Sequence, residues 1–136
     1  MRIVLDTNVL VSGFLHPFSA AGEIVRLVVS GELELLYDAR ILWEYREVLR
    51  RPRFSFDPVD VEALLEQLEA SGLAVAARPL EKHLPDASDE PFLEVALAGQ
   101  ARCLVTGNLK HYPARNRGGM PVLSPKEFVE QYRRKG

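Results

Sequence analysis

The sequence predicts a three-layer α/β/α fold around a central parallel sheet of about five strands. Short apolar runs alternate with longer amphipathic stretches, which is the order of elements in parallel α/β proteins. The first run, Ile3-Val4-Leu5, carries no polar residue, as expected for a strand that is covered on both faces. A chain of 136 residues has the length of one domain with a sizeable core. We therefore expect a single domain over residues 1–136.

The apolar runs define the expected strands. The first strand belongs near the centre of the sheet, and the last belongs at an edge because Pro121 cannot donate a hydrogen bond to a neighbour. The third run is the weakest of the patterns. In chain order, the strands are expected at residues 3–5, 33–37, 73–77, 103–105 and 121–123.

Capping signals define the expected helices. Asp57-Pro58 places an N-cap before a proline at the first helical position, and residues 124–127 form a capping box. Residues 9–18 are apolar but show no helical period, so we predict a connector there. Two further expected N-caps are Ser19 and Asp38. The helices are expected at about residues 19–31, 38–51, 57–72, 88–100 and 124–133.

The composition is that of an ordinary globular protein and argues against several classes of function. The formal net charge of −2 provides no overall field that would attract nucleic acid. No apolar run approaches the roughly 20 residues of a membrane span, and no basic and apolar leader precedes the first strand. The single Cys103 excludes an internal disulfide and fits a reducing compartment. We therefore expect a cytoplasmic protein without membrane association.

Asp6 follows the first strand directly and is succeeded by Thr7 and Asn8. One interpretation is a simple turn, because Asp and Asn are common turn residues. The other is the first ligand of an acidic site, because open α/β sheets bind ligands at the carboxyl ends of their strands. Asn108 follows the fourth strand, and it would meet Asp6 at the same edge if the two strands are neighbours.

Three further acids are placed where they can reach that edge. Glu44 lies at the border of the apolar arc of its helix, where a carboxylate needs a partner; an ion pair with Arg51 is the alternative. Asp89 lies on the inward face of its helix, although an acid in a first turn is also favoured by the helix dipole. Asp86 precedes it by three residues, and such close acids repel unless a cation or a proton separates them.

Together these side chains form a set of hard oxygen donors without cysteine or histidine. Such a set suits Mg²⁺ or Mn²⁺ and not zinc. Ions held by carboxylates activate water and neutralise charge at an attacked phosphorus. The set comprises Asp6, Glu44, Asp86 or Asp89, and the oxygen-bearing Asn8, Thr106 and Asn108.

Four motifs, in order and over nearly the whole chain, resemble the PIN-domain family. The likeness is greatest to the toxins of prokaryotic toxin–antitoxin systems (VapC-like). The motifs are Ile3-Val4-Leu5-Asp6-Thr7-Asn8-Val9-Leu10, Trp43-Glu44-Tyr45-Arg46-Glu47-Val48-Leu49, Asp86-x-x-Asp89 leading into Phe92-Leu93-x-x-Ala96, and Leu104-Val105-Thr106-Gly107-Asn108.

The resemblance implies a PIN-like fold and a Mg²⁺- or Mn²⁺-dependent endoribonuclease, inhibited by an antitoxin protein and assembled as a homodimer. The sequence departs from the commonest family pattern at Asn108, where an Asp is frequent; an amide oxygen can still bind a metal but carries no charge. A second cation site near Asn108 should therefore be weak. The implied catalytic and metal-binding residues are Asp6, Glu44 and Asp89, supported by Asp86, Asn8 and the Thr106 hydroxyl.

Basic residues near these motifs are candidate RNA contacts. Arg50, Arg51 and Arg53 end a helix, where cations are favourable in any case, and Lys110 with His111 directly follows Asn108. The alternative for each group is a solvated surface. Candidate stacking side chains for bases are Phe14, Trp43 and Tyr112, with a protein contact as the alternative for Trp43.

A different class of function remains open. The chain could be a PIN fold that has weak or no catalytic turnover and binds RNA or a protein partner. Asn108 keeps this alternative open, whereas the presence of Asp6, Glu44 and Asp89 argues for catalysis.

Overall fold

The computed structural model of the protein describes the backbone of residues 1–135 and the side chains of residues 1–134. A five-stranded parallel sheet lies between two layers of helices, which confirms the predicted α/β/α architecture. The strands are β1 Arg2–Leu5, β2 Glu34–Tyr37, β3 Leu73–Ala74, β4 Cys103–Val105 and β5 Val122–Leu123. Their order is β3-β2-β1-β4-β5, so β1 is central and β5 lies at an edge, as predicted. Strand β3 is shorter than the expected 73–77.

Six α-helices cover the sheet: α1 Thr7–Leu15, α2 Ala20–Val29, α3 Ala39–Leu49, α4 Pro58–Ser71, α5 Glu90–Ala98 and α6 Pro125–Lys135. The predicted caps are confirmed, because the side chains of Ser19, Asp38 and Asp57 each accept a backbone hydrogen bond from the first turn. The capping box is also confirmed, since Ser124 and Glu127 exchange two hydrogen bonds. Short 3-10 turns occupy Pro52–Phe54, Ala87–Asp89, Leu109–His111 and Ala114–Asn116.

The predicted connector at residues 9–18 is wrong, because most of this segment belongs to α1. Helix α1 is buried on several sides, so its apolar residues show no 3.6-residue period in the sequence. Gly13 permits its close packing against α2: a Cβ there would lie 2.7 Å from Val25 Cγ2 and 3.0 Å from the Ala21 carbonyl oxygen. The helix starts at Thr7 and therefore begins at the edge where β1 ends.

The pairing of β1 with β4 positions the polar residues that follow both strands. Leu5 is in register with Val105, and the Asp6 amide donates to the Val105 carbonyl oxygen at 2.9 Å. Asp6 and Thr106 consequently leave the sheet side by side at its carboxyl edge. Of the helices in residues 1–135, none combines the length and the apolar composition needed to cross a membrane.

Candidate active site

Asp6 is the centre of a buried hydrogen-bond network at the carboxyl edge of the sheet. It occupies the N-cap position of α1, but its side chain makes no capping hydrogen bond, and it is only 5% exposed. Its Oδ2 accepts hydrogen bonds from the Thr106 hydroxyl at 2.9 Å and from the Tyr112 hydroxyl at 3.0 Å. Burial raises the pKa of Asp6, and these two donors oppose the rise. The burial of Asp6 and its two side-chain hydrogen bonds favour an acidic site over a simple turn residue.

Asp89 lies beside Asp6 at the start of α5 and is also buried. Its Oδ2 is the one buried side-chain nitrogen or oxygen without a hydrogen-bond partner among the described side chains. His111 Nδ1 is 3.0 Å from this oxygen but does not point an N–H group along the line of a hydrogen bond. Burial first, and then the charge of Asp6, raise the pKa of Asp89 to about 6. An unsatisfied buried carboxylate oxygen is costly unless a proton or a cation meets it.

Asn108 reaches the acidic pair indirectly through His111. Its side-chain amide nitrogen lies 2.8 Å from His111 Nε2, and its backbone amide donates to the Thr106 hydroxyl at 3.0 Å. A donor on Nε2 leaves the proton of a neutral imidazole on Nδ1, the nitrogen that lies 3.0 Å from Asp89 Oδ2 without the alignment of a hydrogen bond. The side chain of Asn108 thus supports His111, and its role as a metal ligand stays a prediction.

Glu44 approaches the site from α3. The neighbouring Tyr45 hydroxyl donates to the Leu5 carbonyl oxygen at 2.6 Å, which fixes α3 to the end of β1. In this position the Glu44 carboxylate accepts a hydrogen bond from the Thr7 hydroxyl. The alternative ion pair with Arg51 does not form within the described residues. The hydroxyl of Thr7 therefore links the Glu44 carboxylate to the edge of the sheet that carries Asp6.

Asp86 and Asn8 brace the loops around the acidic pair. Asp86 is exposed and accepts from both the amide and the hydroxyl of Ser88, at 2.9 and 2.8 Å, and these bonds lower its pKa. Asn8 is exposed and accepts from the Gly107 amide at 2.8 Å, which holds the loop after β4. The Asp86 carboxylate is thus engaged by Ser88, and its predicted metal-binding role stays a prediction.

A surface cleft of about 360 Å³ opens above the acidic pair. Asp6, Asp89 and His111 form its polar floor, and Arg53 with Phe54 lies at another part of its wall. The remaining lining residues are both polar and apolar: Thr7, Asn8, Val11, Ser12 and Leu15 of α1, His16 after that helix, and Val48 of α3. The cleft is an accessible site in which a substrate can meet both carboxylates.

The other basic candidates differ in their surroundings. Arg50 forms an ion pair with Glu62 at 2.6 Å, whereas Arg51 and Lys110 are exposed. Their contacts with RNA stay predictions. Tyr112 is fully buried against Asp6, so the idea that it stacks on bases is wrong.

The acidic pair fits a hard divalent cation, although the site is not a complete protein cage. Within residues 1–135, no three side chains of His, Cys, Asp or Glu are arranged as a ligand set. Mg²⁺ usually keeps several waters and is held by one or two carboxylates together with substrate phosphate. Two buried carboxylates with one unsatisfied oxygen match that mode of binding.

Two buried polar residues were not predicted from the sequence. Tyr112 lies 106 positions from its partner Asp6, so no local pattern connects them. Glu94 is buried in α5, where it pairs with Arg40 at 2.8 Å and accepts from the Leu80 amide at 3.3 Å. An available signal was the single acid inside the otherwise apolar run of residues 92–98.

The protein has paired carboxylates at the carboxyl edge of a parallel α/β sheet. Such an acidic site offers the oxygen donors that divalent cations bind. A family model described as PIN domain matches residues 2–110, and the chain belongs to this family. PIN domains are in general nucleases and typically use divalent metals. A search of curated proteins found no match to the chain.

Tyr112→Phe is expected to lower the free energy of unfolding at pH 7 by about 1.5–3 kcal/mol, because it removes a hydrogen bond to a buried charged group. Urea denaturation with and without EDTA measures the change. Tyr132→Phe is the matched control, since its hydroxyl makes only a long, exposed contact of 3.5 Å with Glu32. Equal effects of the two substitutions would contradict the role of Tyr112 in holding Asp6.

Proposed function

We propose that the protein is a Mg²⁺- or Mn²⁺-dependent endoribonuclease that hydrolyses phosphodiester bonds. The observation that carries this proposal is the buried pair of Asp6 and Asp89 with one unsatisfied oxygen in an open cleft. Family membership supports the nuclease class, and the donor chemistry supports the choice of ion.

The chain's own residues have separate tasks in this proposal. Asp6 and Asp89 hold the ion, and Thr106 and Tyr112 fix the orientation of Asp6. Glu44 is the third catalytic carboxylate, oriented by Thr7. When bound, the ion supplies an activated water and neutralises charge on the attacked phosphodiester.

A cleavage assay tests this function. Purified protein is incubated with single-stranded and structured RNAs in Mg²⁺, Mn²⁺ or EDTA, and the products are separated by length. Internal cuts that need the divalent ion and that are lost in Asp6→Asn would support the proposal. Cleavage that persists in EDTA, or equally in Asp6→Asn, would refute it.

We further propose that the protein acts as the toxin of a toxin–antitoxin pair, as a homodimer held in check by an antitoxin protein. The resemblance of its four motifs to such toxins supports this step. Induced expression in bacteria should arrest growth in the parent and not in Asp6→Asn. Light scattering of the purified protein measures whether a dimer forms.

A binding module without turnover is the second candidate. The uncharged amide of Asn108, where the family frequently has an Asp, is the feature that favours it. The cleavage assay distinguishes the two, because a binding module retains RNA in a gel-shift experiment without cutting it in Mn²⁺.

Asn108→Asp is expected to add affinity for a second Mn²⁺ without strengthening the first site. The parent offers an uncharged amide beside His111, and Mg²⁺ and Mn²⁺ prefer charged oxygen ligands. Calorimetric titration of Mn²⁺ into both proteins measures the number and affinity of the sites. Two tight sites in the parent, or no gain in the variant, would show that Asn108 does not face the metals.

A further inference from the structure

Arg53 and three aromatic residues form a stacked array at the cleft, which we call the stacking platform. The Arg53 guanidinium carbon lies 4.8 Å from the centroid of the Phe54 ring. Phe54 stacks on Phe56 with centroids 5.6 Å apart and an interplanar angle of 13°, and Phe56 contacts Phe14 at 5.2 Å. Arg53 and Phe54 both line the cleft that contains the acidic pair.

The local backbone holds the stacking platform in place. Pro52 begins a 3-10 turn that carries Arg53 and Phe54, and Ser55 ends it with a left-handed φ of 54°. Through Phe56 and Phe14 the turn is anchored on helix α1. The exposed Arg53 guanidinium therefore already lies over the Phe54 ring before any ligand arrives.

Apolar side chains line part of the cleft that the stacking platform shares with the acidic pair. Val11 and Leu15 of α1 and Val48 of α3 line the same cleft. A phosphate would lose hydration against these side chains without gaining a partner, whereas the flat, weakly polar face of a nucleobase suits them. The charged backbone of a strand therefore belongs at the floor, and a base belongs at the wall.

We propose that the Arg53 guanidinium, held over Phe54, stacks against an unpaired nucleobase of the RNA strand next to the scissile phosphate. This inference rests on the proposed ribonuclease function and assigns Arg53 a planar, substrate-positioning role instead of a contact to the backbone. Guanidinium planes and aromatic rings are the usual partners of splayed-out bases in RNA recognition. Because a paired base cannot reach the wall, the substrate strand is single-stranded at this position.

The test measures stacking in EDTA, so that it does not depend on catalysis. The probes are short single-stranded RNAs in which 2-aminopurine replaces one base at a time, since the fluorescence of this base falls when it stacks. At one position the parent should quench the probe. Arg53→Lys keeps the charge but removes the plane, and it should lose this quenching and bind about tenfold more weakly. Phe54→Leu should behave in the same way.

Arg102→Lys is the matched control, because Arg102 is exposed, precedes β4 at the opposite edge of the sheet and does not line the cleft, and it should leave the quenching and the affinity unchanged. Arg53→Lys that binds and quenches like the parent would overturn the proposal in favour of a phosphate contact. An abasic site at the quenched position should weaken RNA binding by the parent about tenfold and leave RNA binding by Arg53→Lys unchanged. An equal loss of affinity in both proteins would also overturn the proposal.

The result can be separated from the fate of the proposed function. Cleavage in Mn²⁺ with unchanged quenching in Arg53→Lys would refute the stacking role alone. Quenching that depends on Arg53 in a protein that never cleaves RNA would refute catalysis and retain the stacking platform.

Discussion

Asp6→Asn is expected to lower RNA cleavage by about a thousandfold or more and to leave the fold intact. Divalent ions supply several kcal/mol of transition-state stabilisation, and each 1.4 kcal/mol corresponds to a factor of ten. An asparagine oxygen can still accept from Thr106 and Tyr112, so the hydrogen-bond network survives. What the substitution removes is the charge that holds the ion. Cleavage rates and calorimetric Mn²⁺ binding measure the two effects.

Asp60→Asn is the matched control, because Asp60 is an exposed acid in the first turn of α4, away from the cleft. It should bind Mn²⁺ and cleave RNA like the parent. Comparable losses in both variants would show that net charge, and not the position of Asp6, determines activity.

The sheet could be predicted because burial dictates its sequence. Strands β1 and β4 are fully enclosed, so they read as uninterrupted apolar runs, and their parallel pairing follows from the helices between them. Helix α1 could not be predicted for the same reason. Its Val9, Leu10 and Val11 are all buried, which erases the polar positions that reveal a helical period.

The candidate site was only partly accessible from the sequence. The positions of the strands predicted that Asp6 and Asn108 share one edge of the sheet, whereas the hydroxyl that contacts Asp6 belongs to Thr106, two residues earlier. Tyr112 was predicted to stack on bases, because nothing in a loop sequence shows that its hydroxyl turns inward to a carboxylate. The direction of the Asn108 amide, towards His111, likewise depends on the 3-10 turn that follows it.

The free energy of unfolding of the metal-free protein is expected to fall as the pH rises from about 4 to about 6. Burial and the charge of Asp6 raise the pKa of Asp89 to about 6 in the folded protein, against its ordinary value of 3.8. Between these values the folded state keeps a proton that the unfolded chain has lost, so stability decreases with pH. The loss through Asp89 is complete about one pH unit above this folded-state pKa and is on the order of 2–3 kcal/mol. Asp6, whose pKa is also raised, acts in the same direction.

Asp89→Asn should flatten this pH profile in EDTA and should be more stable than the parent at pH 8, because it removes one of two neighbouring buried charges. Mn²⁺ should reverse this order of stability. At a Mn²⁺ concentration of about a hundred times its dissociation constant, binding stabilises the parent by about 2.7 kcal/mol and the variant by much less. Urea denaturation at pH 4, 6 and 8, with EDTA or Mn²⁺, measures all of these changes, with Asp60→Asn as the control. A flat profile in the metal-free parent would contradict the raised pKa of Asp89. Equal stabilisation of parent and Asp89→Asn by Mn²⁺ would mean that Asp6 and Asp89 do not share a cation.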